Sequence, residues 1–394
     1  MTEAEYGRSG LEMFLAGEGR ELNDMTVGLV TNPNGVDRNF RSSVELLQDN
    51  RRLRLKALFG PEHGVRGEAQ AGDHVAEGVD SRSGLPVHSL YGETRRPTPE
   101  MLFGLNAIIF DLQDLGVRYA TYLSTQIEVQ AAANDARIDV IIFDRPNPLA
   151  DIAVEGNLLE PGYLSFIGSH PIPIRHGMTL GELGCLVACE RGWKPPIVVP
   201  MRGVDRRSWY DETGIPWILP SPNMPTLDAL TLYPGTCLVE GTCASEGRGT
   251  TRPFEFLGAP GVDANALTDD LTRRALPGLA FRPVYFTPFI SKHKGLVCGG
   301  VQVYCTDRMV MQSPSLGIHL LHALKRHVPD FSWVGPIDDN RPYFIDLLFG
   351  SAKPRLALDD GATPDEIMVN WTVECSAFAE RRRPFLLYPE EGAG

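Results

Sequence analysis

The chain has 394 residues, 43% of them apolar and 22% charged, with a formal net charge of −13. That length exceeds one typical core, so two domains are expected, and the apolar share supports packed cores rather than disorder. The acidic balance argues against non-specific nucleic-acid or anionic-membrane binding, which needs a basic surface, but leaves room for an anionic substrate held by local arginines.

The start, Met1 to Tyr6, is acidic and lacks the basic and apolar regions of a signal peptide. No apolar run approaches the ~20 residues that span a bilayer. Residues 27–30, 55–59, 107–110 and 140–143 read as short strands, because brief β-branched runs mark strands covered on both faces. Helical patterns fall between them, at 42–47 and 124–136. Another opens at Thr98-Pro99-Glu100, where a capping threonine precedes proline in the first helical position. Alternating strands and helices imply an α/β fold with a mostly parallel sheet.

Each of these strands runs into a polar cluster. The clusters hold Asn32, then Glu62 and His63, then Asp111 and Asp114, then Asp144, Arg145 and Asn147. The carboxyl edge of an open parallel sheet is where ligands bind, so these residues form a candidate rim. Any one cluster is equally at home as a turn or cap. A succession of them, with histidine and arginine included, favours a site.

Thr179 and Glu182 form a capping box, which gives Glu182 a structural role. Residues 195–200 and 216–225 are proline-rich and extended. Beyond residue 255 the pattern changes to a helix at 263–275, strands at 283–286 and 299–304, and a helix at 316–326. The expected division is therefore 1–255 for the first, catalytic domain and 256–394 for a second, smaller α/β domain. The seven cysteines include no C-x-x-C pair. Reduced thiols in a cytoplasmic protein are expected, with Cys185 and Cys189 in a helix core.

The common phosphate-loop, dinucleotide, serine-hydrolase and zinc-protease motifs are absent. What remains is a set of carboxylates and arginines. Glu62, flanked by Pro61, His63 and Gly64 just past a buried strand, is placed for the partial desolvation that suits a general acid. Arg66 fits an anionic substrate group or a carboxylate partner. Asp114 to Tyr122 joins an acid, Arg118, Tyr119 and Tyr122, a combination suited to a sugar ring. Asn223, between Pro222 and Met224-Pro225, is an amide on a rigid loop. Glu240, Glu246 and Arg248 lie in Gly-rich stretches where backbone can approach a ligand. His293, between Lys292 and Lys294, reads as part of a solvated turn. A metal site from His63, Asp114 and Asp144 lacks close ligand spacing, and neither metal nor cofactor is expected.

The run Leu58-Phe59-Gly60-Pro61-Glu62-His63-Gly64-Val65-Arg66-Gly67, followed by Gln70-Ala71-Gly72, resembles the signature of the exo-β-N-acetylmuramidase family (NamZ-type). Leu90-Tyr91-Gly92, Pro97-Thr98-Pro99-Glu100-Met101, Asp144-Arg145-Pro146-Asn147-Pro148, Arg175-His176-Gly177-Met178-Thr179, Pro222-Asn223-Met224-Pro225 and Glu246-Gly247-Arg248-Gly249-Thr250-Thr251 extend the resemblance over nearly the whole chain, in order.

The resemblance implies a Rossmann-like domain, a smaller C-terminal domain and a site in the cleft between them. It implies release of terminal β-1,4-linked N-acetylmuramic acid from the non-reducing end of peptidoglycan fragments, as in cell-wall recycling. Glu62 is then the general acid, with Glu246, Asp114 or Asp144 opposite it, or the substrate's own acetamido group as nucleophile. Arg66 or Arg118 would clamp the lactyl carboxylate. Asn32, His63, Tyr122, Asp144, Arg145, Asn223 and Arg248 are the further candidate substrate contacts. The partner expected is a peptidoglycan-derived saccharide or muropeptide, with no nucleic acid and no membrane insertion; a non-catalytic muropeptide-binding protein is the alternative. The family commonly has a second aromatic where this chain has Ala120.

Overall fold

The computed structural model describes residues 6–67, 77–150, 153–336 and 341–389. Met1 to Glu5 and the Gln70-Ala71-Gly72 part of the signature lie outside the described residues.

The first unit is built on β1 (Met25–Thr31), β2 (Leu53–Gly60), β3 (Gly78–Val79), β4 (Pro86–Ser89), β5 (Ala107–Asp111) and β6 (Asp139–Phe143). Two further strands, β7 (Glu155–Leu158) and β8 (Pro173–Arg175), form a separate antiparallel pair, and β9 (Ile197–Val199) returns to the main sheet. That sheet runs β3-β4-β2-β1-β5-β6-β9, with every pairing parallel except β3 on β4. The chain builds outward from β1 on one side, then from β5 on the other. Their junction, in register at Thr31 and Asp111, is the point where strand order reverses.

The expected parallel sheet forms because its strands alternate faces and both faces are covered. Leu29, Ile109 and Ile141 pack with Leu11, Phe14, Val44 and Leu47 of the Gly10–Leu15 and Ser43–Gln48 helices. Val30, Ile108, Phe110 and Ile142 point the other way, onto Ile127 and Leu183 of the Thr121–Ala136 and Leu180–Arg191 helices. Thr98 caps its short helix through Met101 N, and the Thr179–Glu182 capping box is present in both directions.

The second unit carries β10 (Phe256–Ala259), β11 (Leu279–Phe286) and β12 (Cys298–Cys305) in an antiparallel sheet ordered β10-β12-β11. The amphipathic helices Ala264–Arg273 and Ser313–His327 supply Leu267, Leu271, Leu320 and Leu324 to its core. Leu238, Ile318, Ile345 and Phe349 instead join the cluster that holds Ile108 and Phe110. The two units therefore share a packed floor, and a cleft lies above it. A late helix, Trp371–Arg382, goes back to β7 in the first unit; Leu158 N donates to Glu374 at 2.8 Å. Among the described residues no helix is long and apolar enough to cross a membrane. All seven cysteines are free; Cys189 is exposed rather than packed in a core.

Candidate active site

The cleft contains a cavity of about 520 Å³. The first unit contributes Glu62 and His63 after β2, Tyr91 after β4, and Tyr119 to Tyr122 after β5. The segment before β10, whose Leu232, Val239 and Ala244 pack in the core of the second unit and so belong with it, contributes Tyr233, Glu240, Glu246 and Arg248, and the β11–β12 connection contributes Lys292. Pro220, Ser221 and Asn223 come from the proline-rich segment between them.

Glu62 is presented by a tight turn in which Gly64 N donates to Pro61 O at 2.9 Å. His63 and Gly64 both adopt left-handed backbone, φ 76° and 79°. Glycine takes this conformation freely, whereas a histidine there costs about 1 kcal/mol or more, a strain typical of functional turns. Thr121 Oγ1 donates to Glu62 Oε2 at 2.6 Å, and the Tyr91 hydroxyl also bonds Glu62. Thr121 opens a 16-residue helix whose cap residue offers no side-chain bond, so the carboxylate sits at the positive end of that helix. Burial and the nearby Glu62 charge push the Tyr91 hydroxyl up to about 12, so it stays a donor through the neutral range.

The second-unit wall is an ionic quartet. Arg248 bonds Glu240 at 2.8 Å and faces Glu246 at 3.4 Å, while Lys292 lies 3.0 Å from the other Glu246 oxygen. Burial opposes the Arg248 charge, but Glu240 and Glu246 outweigh it and hold its pKa above the usual arginine value. Burial also raises the Glu240 carboxyl; Arg248 opposes that shift and Glu246 adds to it. Lys292 is further fixed by the carbonyls of Glu240 and Ala244, each at 3.0 Å. His293 bonds Cys243 O at 2.7 Å, so the expected solvated turn is in fact pinned to this wall. Gly249, with φ 75°, lets this wall touch that loop: a Cβ there would lie 2.6 Å from Ile290 O.

The candidate residues divide sharply. Glu62, His63, Tyr122, Asn223, Glu246 and Arg248 line the cavity. Asn32 stands behind it, donating to the Tyr122 hydroxyl at 2.8 Å. Asp114 is buried beside the cavity residue Leu115, accepts from Gly116 N at 2.8 Å and faces His176 at 3.6 Å. Arg66 forms a two-pronged pair with Asp80, both contacts at 2.8 Å. Arg118 is buried on the carbonyls of Asn157, Ile172, Leu348 and Phe349. Arg145 pairs with Asp111 at 2.7 Å in the interior. Tyr91, Thr121, Tyr233 and Lys292 also line the cavity, although residue type alone gave them no role.

Asp144 accepts from Gly181 N, Thr179 and Tyr388, the last at 2.6 Å, tying the first unit to the C-terminal segment. Burial raises its carboxyl from 3.8 to about 6, with Tyr388 and Thr179 acting in the opposite direction. The folded state thus keeps a proton that the unfolded chain has lost. This group's contribution to stability falls as pH rises from 3.8 to about 6 and is level outside that window. Asp144→Asn is expected to flatten the dependence of urea-unfolding free energy on pH across it; an unchanged slope contradicts this assignment.

Two family models cover the chain: exo-β-N-acetylmuramidase NamZ, N-terminal, over residues 27–228, and exo-β-N-acetylmuramidase NamZ, C-terminal, over 231–388. The chain is 41% identical over 383 residues to the peptidoglycan β-N-acetylmuramidase NamZ of Bacillus subtilis, covering 97% of this chain and 91% of that protein. Among solved structures, one DUF1343 family protein of Bacteroides fragilis superposes with a TM-score of 0.89 at 34% identity, covering 98% of this chain and all of that one. A second from the same organism gives 0.77 at 28% identity, covering 98% and 99%.

Proposed function

The chain belongs to the exo-β-N-acetylmuramidase NamZ family, and on that premise we propose that its cleft releases terminal β-1,4-linked N-acetylmuramic acid from peptidoglycan fragments, with Glu62 as general acid. The observation that supports this most is the meeting of Glu62 and Glu246, from different units, in one aromatic-lined cavity. Its volume, about 520 Å³, suits a small ligand and not a long polymer.

Glu62 hands its proton to the glycosidic oxygen as the bond from that oxygen to the anomeric carbon breaks. Thr121 and Tyr91 fix the carboxyl in place. Positive charge then grows on the sugar ring, and hydrolysis is completed when a water oxygen bonds to the anomeric carbon and its proton passes to one of the two carboxylates. Glu246, whose own charge is compensated by Arg248 and Lys292, is placed to stabilise that charge or to orient the substrate's acetamido group. Separation of the two working carboxyls distinguishes the outcomes: about 5–5.5 Å for a retaining pair and ~6.5–9.5 Å for an inverting one. Asn223, His63 and Tyr122 are the polar and aromatic contacts to the sugar.

Incubation with a β-linked MurNAc-GlcNAc disaccharide tests this directly. Free MurNAc and GlcNAc are expected in equal amounts. Saturable binding without product would assign the cavity to a binding protein instead.

A further inference from the structure

An enzyme that selects a muramic-acid sugar must read the lactyl ether, because this carboxylate is what separates N-acetylmuramic acid from N-acetylglucosamine. A charged group is read well by a cation whose hydrogen-bonding edge is available. Most arginines around the site do not meet that condition. Arg66 is engaged by Asp80, Arg118 by four backbone carbonyls and Arg145 by Asp111. Within the cavity, Arg248 is engaged by Glu240 and Glu246, and Lys292 by Glu246 and backbone carbonyls.

Arg95 differs from all of these. It is exposed, and its guanidinium carbon lies 4.2 Å from the ring centre of Phe166 and 5.2 Å from that of Tyr91. The two rings stand 5.8 Å apart and form a seat for it. Tyr91 and Ile167, the neighbour of Phe166, both line the cavity, so the seat adjoins the cavity lining. Among the described residues Arg95 forms no ion pair or hydrogen bond. Stacking fixes the plane of a guanidinium while leaving its N–H edge open, which is how arginine is prepared for a planar carboxylate. Its charge also reaches the Tyr91 hydroxyl, the same hydroxyl that bonds Glu62.

We propose that Arg95, held on Tyr91 and Phe166, is the residue that recognises the lactyl carboxylate of the terminal sugar and so sets the preference for muramic acid over glucosamine. This rests on the muramidase reading of the cavity. No bond is made or broken by Arg95; it is a specificity-determining residue.

The test compares β-linked p-nitrophenyl glycosides of MurNAc, of the methyl amide of its lactyl group, and of GlcNAc, with wild-type enzyme, Arg95→Ala and Arg95→Lys. A charge-assisted, two-pronged contact corresponds to roughly 10- to 100-fold in kcat/KM. Arg95→Ala should lose about that much on the MurNAc glycoside alone, with its rate on the amide unchanged. Arg95→Lys should recover part of the loss. If wild type hydrolyses the MurNAc glycoside and Arg95→Ala keeps the full preference for acid over amide, Arg95 is not the reader. A loss of equal size on all three glycosides overturns the proposal as well, since it marks a general effect. If wild type hydrolyses none of them, the muramidase reading itself fails.

Discussion

Glu62→Gln is expected to lower kcat by about 10²–10⁴-fold while leaving the dissociation constant for the disaccharide close to wild type. The amide keeps the shape of the side chain and can still accept from Thr121 and Tyr91, so the turn at Pro61–Gly64 and the cavity wall persist. What it lacks is a proton that can pass to a leaving oxygen. The effect belongs in kcat because the missing interaction is made in the transition state. A leaving group that needs no protonation gives a second check. On a dinitrophenyl glycoside the same variant should recover much of its bond-cleavage rate. Near wild-type turnover of the disaccharide by Glu62→Gln would remove Glu62 from catalysis.

The second large effect is on stability. Arg118 is buried, and its Nη atoms bond the carbonyls of Asn157 and Ile172 in the first unit and of Leu348 and Phe349 near its floor, at 2.7 to 3.0 Å. Burial lowers its pKa to about 10, with Tyr119 and Glu374 acting in the opposite direction; this is still far above neutral, so it remains charged within this cage. Arg118→Met replaces the cation with an apolar chain and takes a donor from each of these carbonyls, of which Ile172 O keeps Leu159 N and Phe349 O keeps Asn157 Nδ2. A buried carbonyl that loses its donor costs about 1–3 kcal/mol, so the several affected here amount to about 3–5 kcal/mol. The expected result is a fall of that size in urea-unfolding free energy, with KM of the folded fraction unchanged. A rise in KM at undiminished stability would instead place Arg118 on the substrate.

The sheet was legible because it obeys a local rule. Residues 107–110 and 140–143 are apolar at every position, which is what burial on both faces of a strand requires, and they lie in the parallel strands Ala107–Asp111 and Asp139–Phe143. The polar rim was legible as a place but not residue by residue. Asp111, Arg145 and Asp144 have the same local signature as Glu62, a charge just past a strand. Their roles depend on partners elsewhere in the chain. Arg145 meets Asp111 across 34 positions and Asp144 meets Tyr388 across 244, and these contacts turn them into interior struts.

Lys292 and His293 illustrate the reverse case. A Lys-His-Lys run resembles a solvated turn until carbonyls about fifty positions away are brought against it. The short final helices were the least legible part. The Phe344–Phe349 helix has too few turns to show a period, yet Ile345 and Phe349 complete the shared floor of the cleft. Family resemblance implied the role proposed for Glu62; the fold supplied the ionic wall of Glu240, Glu246, Arg248 and Lys292 that shares its cavity.

The most direct measurement of the central claim uses a peptide-free glycan tetrasaccharide with N-acetylmuramic acid at its non-reducing end, digested and analysed by mass spectrometry. An end-acting muramidase working in this cleft releases one free N-acetylmuramic acid and the matching trisaccharide as the first products. Disaccharide pairs from internal cleavage, or an intact tetrasaccharide after prolonged incubation, would contradict it.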